Sequence, residues 1–218
     1  MKVCAAIVSG LLCTVGLMVP AGAVWAQQGA PAGPPRAGIS PGPATITSTL
    51  DFQLMIEERE IEGAADAMPE DKYSFAPTGG EFKGVRTFAQ EVKHIAMTNN
   101  RFYGGILGQA PATSGSQFEA ENGPDSIQTK AEIMQYLRDS FALGHKAIAT
   151  ITPDNAFETM PNPPIPFLRT RVAIVIFGCA HAMDHYGQMV EYLRDNGIVP
   201  PASRQRPPAN PSGQSGHK

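Results

Sequence analysis

Residues 177–196 read FGCAHAMDHYGQMVEYLRDN. The stretch has no proline, and good helix formers surround His181 and His185, so it reads as a helix. Residues four apart on a helix stand one above the other on the same face. Two imidazoles in that relation can chelate one divalent cation, since imidazole is the commonest neutral metal ligand. A bare HxxxH is equally compatible with two ordinary hydrogen-bonded histidines, so the pair becomes a site only if a third ligand joins it. His94, in an earlier helical pattern, is the candidate. The residues between the pair are Ala182, Met183 and Asp184, so there is no HExxH and no glutamate base of the zinc-protease kind.

The rest of this helix sorts by angle. Asp184 points ~100° away from His185 and is not an obvious ligand. Gln188, one turn beyond His185, shares the histidine face and is placed to hold a water or substrate; Glu191 is less aligned. Cys179 falls ~160° from His181 on the wheel, on a core-like face continued by Ala182, Tyr186, Met189 and Leu193. It reads as a buried, inert thiol.

Working outward, the fourth helical pattern spans about 171–196, with Thr170 as its cap and Gly197 at the position that favours a left-handed residue. Three more precede it. The first runs from about Thr49 to Met68, with Leu50, Leu54, Ile61, Ala65 and Met68 at helical spacing, Ser48 or Thr49 as cap, and Pro69 as stop. The second runs from about Phe88 to Leu107; Thr87 and Gln90 form a capping box. Phe88, Val92, Ile95, Asn99, Phe102 and Ile106 make its stripe, and His94 falls ~120° from the stripe's centre, a boundary position. The third runs from about Lys130 to Ile151, with Thr129 and Glu132 as a second capping box and Ile133, Leu137, Phe141, Gly144, Ile148 and Ile151 inward. His145 lies ~90° from that stripe and reads as solvent-facing. Residues 152–167, TPDNAFETMPNPPIPF, carry five prolines and cannot form a regular element. Four amphipathic helices without a strand-period segment predict an all-α, four-helix bundle over residues 46–199. Its connections are longer than those of simple up-down bundles and leave room for crossovers and a site mouth.

The ends read differently. Lys2, an apolar run to Val19, and Val24 and Ala26 before a cleavage point form an export leader over 1–26. An uncleaved anchor is the competing reading, which the shortness of the run disfavours. Residues 27–45 and 200–218, rich in proline and glycine or serine, read as a disordered linker and tail; His217 falls in the tail. Cys4 and Cys13 lie in the leader, so the mature chain keeps Cys179 alone and forms no internal disulfide. A formal charge of −3 gives no call for nucleic acid. No stable membrane span is expected after leader removal, and the chain is expected to be periplasmic or secreted.

Three segments carry a resemblance: DKYSFAPT, VRTFAQEVKHIAMTNNRFY and HAMDHYGQMVEYLRDNGIVPPAS. Together they resemble the DinB-like superfamily of bacterial four-helix proteins, over about residues 46–203; the name is shared with an unrelated polymerase. The resemblance implies that one histidine of the second helix and an HxxxH pair of the fourth bind a divalent metal. Matched residue by residue, these are His94, His181 and His185. Three protein ligands leave positions open for water or substrate, as in catalytic sites. Zn, Ni and Fe all suit imidazole. Characterised members include transferases and isomerases that use low-molecular-weight thiols, in which the cation would favour the thiolate. An exported chain departs from the usual cytosolic setting, where such thiols abound.

Two functions follow from these expectations. One is a metal-dependent transferase or hydrolase acting on a small-molecule substrate, with no catalytic residue beyond the ligands assigned. The other is a non-catalytic envelope or stress protein that binds metal or a small ligand. A structural bundle with incidental histidines is the bland alternative. A homodimer through an exposed helix face is compatible with this architecture, though no stripe demands it.

Overall fold

The computed structural model describes residues 44–81, 83–109 and 121–204. The expected leader, nearly all of the expected linker, and the tail beyond Arg204 lie outside the described residues. Among the described residues four α-helices are bounded: α1 (Ile46–Ala67), α2 (Phe88–Ile106), α3 (Lys130–Ile148) and α4 (Arg171–Asp195). Among the described residues there is no β-strand, and the proline-rich connection before α4 contributes an isolated bridge between Thr159 and Thr170.

The helix starts follow their capping chemistry. Thr87 with Gln90 and Thr129 with Glu132 make reciprocal boxes, and Thr170 accepts from the Ala173 amide. α1 starts earlier than expected. Thr45 is its cap, bonded reciprocally with Ser48, so neither Ser48 nor Thr49 is the cap. A serine replaces the usual Glu or Gln at the third position and satisfies the same orphan amide. Gly197 takes φ 72° just past α4, where an L side chain would be strained. The tail also begins later than expected: Pro201–Ser203 form a short 3-10 turn packed on α1, with Pro201 close to Gly63.

α1 packs on α3 and α4, and α2 packs on α3 and α4. The helices therefore stand in the ring order α1–α3–α2–α4, with α1 diagonal to α2 and α3 diagonal to α4. Both the α1–α2 and the α3–α4 connections must cross the bundle, which explains their length. The first is pinned by Tyr73, whose hydroxyl donates to the Ala65 carbonyl at 2.8 Å and whose ring meets Phe88 edge-on. Lys130 donates to the Asp66 and Met68 carbonyls at the end of α1, at 2.7 and 2.9 Å.

The core is built from Leu54, Ile61, Phe88, Ile95, Tyr103, Leu137, Phe141 and Ile174, all fully or almost fully buried. Gly144 lets α3 approach closely: a Cβ there would lie 2.8 Å from a Leu54 methyl and 3.0 Å from the Tyr103 ring. Among the described residues no helix is long and apolar enough to cross a membrane.

Candidate metal centre

α2 and α4 are neighbours in the ring, and their contact brings His94 to His181 and His185. One ring nitrogen from each histidine lies within 4.8 Å of the others. Ring centroids are 4.5 Å apart for His94–His185, 4.6 Å for His181–His185 and 5.0 Å for His94–His181. Nε2 of His94 and Nε2 of His181 stand 3.2 Å apart. Two nitrogens bound at ~2.1 Å to one ion, at right or tetrahedral angles, are ~3.0–3.4 Å apart. The spacing suits two ligands of one cation; without a cation, an N–H···N hydrogen bond closes the same gap.

Outer partners set two of the three rings. His94 Nδ1 donates to the backbone carbonyl of Glu121. A carbonyl can only accept, so that nitrogen carries the proton and Nε2 keeps its lone pair facing inward. His185 Nδ1 donates to Glu91 Oε2 at 2.6 Å, with side-chain exposures of 8% and 1%. This is the carboxylate–histidine arrangement that orients metal ligands and raises their basicity. His181 is different. Its Nδ1 is buried with no hydrogen-bond partner, and the ring is held by phenylalanines instead.

The Glu121 carbonyl is delivered by a loop fastened to α2. Lys93, beside His94, donates to the carbonyls of Pro124 and Ile127 at 3.0 and 3.3 Å. Arg86 Nε donates to Asn122 Oδ1 at 2.8 Å. Gly123 has φ 75°, and a Cβ there would come within 2.8 Å of Lys93 Cβ. A residue other than glycine would push the loop off the helix.

Burial pushes His94 down to about 3, against the pull of the Glu121 carbonyl, and pushes His181 down to about 4, aided by His185. Both imidazoles are therefore neutral near pH 7, with lone pairs free to ligate. The donor set, its spacing and its outer partners all fit a divalent transition-metal ion.

The structure thus brings together the three histidines expected from the sequence. It corrects their neighbours. His94 is 6% exposed, hence buried and not at a boundary, because α2 is covered by α3, α4 and the 121–127 loop together. Gln188 does not point into the centre; its side-chain amide donates to Asp184 Oδ2 at 3.3 Å. Asp184 and Glu191 are exposed, and Glu191 pairs with Arg194. His145 is not simply solvent-facing. It bridges two acids of α1, Asp51 at 2.6 Å and Glu58 at 3.4 Å, and the Glu58 carboxylate, with Asp51, raises it to about 9. Cys179 is buried as expected, and burial pushes its thiol well above the usual range. Its neighbour in the core is Glu57, a fully buried acid whose own carboxyl is raised by burial.

Glu91 is the functional residue that sequence reasoning missed. It lies three residues before His94 on the same helix, and that spacing was the available signal.

The family model described as the DinB superfamily matches residues 53–189, a span that contains all three histidines. No curated protein matches the chain.

Proposed function

Because the chain belongs to the DinB superfamily, we propose that it binds one divalent transition-metal cation through His94, His181 and His185 and acts as a metal-dependent transferase or hydrolase on a small molecule. The observation that carries this is the convergence of three imidazoles within 4.8 Å, contributed by two separated helices. Three ligands leave coordination positions open. When bound, the cation supplies Lewis acidity toward a water or thiol at those positions. The protein's own part is to hold Nε2 of His94 and His185 inward through Glu121 and Glu91, and to keep His94 and His181 neutral by burial. The leader pattern at 1–26 supports placing this chemistry in the periplasm or outside the cell.

One observation favours a second reading. Glu91 is committed to His185, while Asp184 and Glu191 face away, so these carboxylates leave no general base aimed at the open side. Such a centre also suits a non-catalytic envelope protein that captures a metal or a small metal-binding ligand.

The test is elemental analysis of purified protein beside His181→Ala. The expected result is about one equivalent of metal in the parent and a large loss in the variant, with helical content unchanged. Undiminished metal in His181→Ala would refute the assignment. A screen of thiol-transfer and hydrolysis substrates on the loaded protein then separates the two readings.

A further inference from the structure

We propose that the metal centre takes small molecules whose metal-binding head carries an aromatic or similarly apolar group, seated on a wall made by Phe167 and Phe177. The inference rests on the reading of the three histidines as metal ligands and adds the substrate class to it.

His94 and His185 are buried, and His181 is the one ligand residue left partly exposed, so the approach to the centre lies on its side. That side is aromatic. Phe177, one turn before His181 on α4, stacks on its ring with centroids 6.2 Å apart and planes 29° apart. Phe102, 3% exposed, closes the back, meeting His181 edge-on at 5.9 Å and Phe177 at 5.8 Å. Phe167 continues the wall outward, edge-on to Phe177 at 6.3 Å, and is 72% exposed. Three rings thus run from the centre to solvent with rising exposure. The surroundings are apolar enough that the outer nitrogen of His181 finds no partner.

The exposure of Phe167 is built into the fold. The loop that carries it presses Pro164 against α2 at Gly105, where a Cβ would come within 2.7 Å of the proline ring. The Leu168 amide donates to the Ile165 carbonyl at 3.0 Å, and Met160 to Arg169 at 2.8 Å, closing the loop at both ends. A large ring fixed in water at the outer end of a ring chain that begins at His181 marks a place where a ligand completes the contact.

The test uses full-length protein loaded with cobalt and two probes, acetohydroxamate and phenylacetohydroxamate. They share the chelating head and differ by one phenyl ring. Affinities are read from the cobalt absorption spectrum. The phenyl probe is expected to bind about tenfold tighter to the parent. In Phe167→Ala, an exposed change that leaves the core intact, the gap should close to within about threefold while acetohydroxamate binding stays the same. Normal cobalt uptake with equal affinity for the two probes overturns the aromatic subsite and leaves the metal centre standing. So does a phenyl advantage that survives in Phe167→Ala. Failure to take up cobalt overturns the metal reading, and this inference with it.

Discussion

Replacing Glu91 with glutamine keeps the volume and one acceptor oxygen but removes a charge. In the parent, that oxygen is 2.6 Å from His185 Nδ1, and both side chains are nearly dry. Hydrogen bonds to a charged acceptor are worth roughly twice those to a neutral one, a difference of about 1–1.5 kcal/mol. The difference grows when His185 binds a cation, because metal ligation makes its Nδ1–H more acidic. Outer-partner substitutions accordingly weaken metal affinity by about 10- to 100-fold, or about 1.4–2.7 kcal/mol. The metal-free protein should respond in the opposite sense or not at all, since glutamine relieves the cost of a buried charge. Competition against a chromophoric chelator measures the first effect, and urea unfolding of chelated protein measures the second. At equal free metal, the loaded variant should also lose about 1.4–2.7 kcal/mol of ligand-linked stabilisation. An affinity within threefold of the parent would show that Glu91 does not orient His185. A metal-free variant destabilised by more than about 2 kcal/mol would show that Glu91 is a structural group.

Other consequences can be measured separately. Removing the metal from loaded protein should lower its melting temperature, with no further effect in His181→Ala; equal melting of loaded and chelated parent protein would contradict this. His145 has a raised folded-state pKa of about 9, so its bonds to Glu58 and Asp51 stabilise fully below its ordinary ~6.5 and fade as pH rises through about 9. Solvent screening limits this to about 1 kcal/mol, and chelated His145→Gln should therefore lose about that much less stability than the parent between pH 6.5 and 9.5. Parallel pH profiles would remove the clasp. Gly144→Ala forces the Leu54 methyl or the Tyr103 ring aside, and should cost a net of about 1–2 kcal/mol despite the better helix former. Gly187→Ala, with nothing within 4 Å, should stabilise by about 0.5–1 kcal/mol. Urea midpoints that rank these two variants the other way would refute the packing argument.

The histidine pair of α4 was legible because the information is local. HxxxH on a proline-free helix puts His181 and His185 on one face whatever the rest of the chain does. The helix starts at Thr87, Thr129 and Thr170 were legible for the same reason, since a cap is decided within four residues. His94 was a candidate from its place in an earlier helical pattern and was matched to the pair by the family resemblance, because no wheel shows that α2 and α4 are neighbours. What stayed hidden are polar groups whose surroundings come from elsewhere. Glu91 sits in the first turn of α2, where an acid is ordinarily solvated and favourable to the helix dipole; packing against α4 makes it dry. Glu57 is the exception: it sits between Leu54 and Ile61 in the α1 stripe, so helical spacing alone could have placed it in the core. His145 was set outside its own helix's apolar face, correctly, but the two acids it meets belong to α1.

His94 leans on a main-chain oxygen, which every amino acid possesses. The side chain at position 121 can therefore be replaced without removing the acceptor of that ring, while position 91 has no such latitude, since there the acceptor is the side chain itself. Substitutions that would disturb the three-histidine cluster are expected accordingly at the histidines, at Glu91 and at Gly123, whose backbone shape delivers the oxygen.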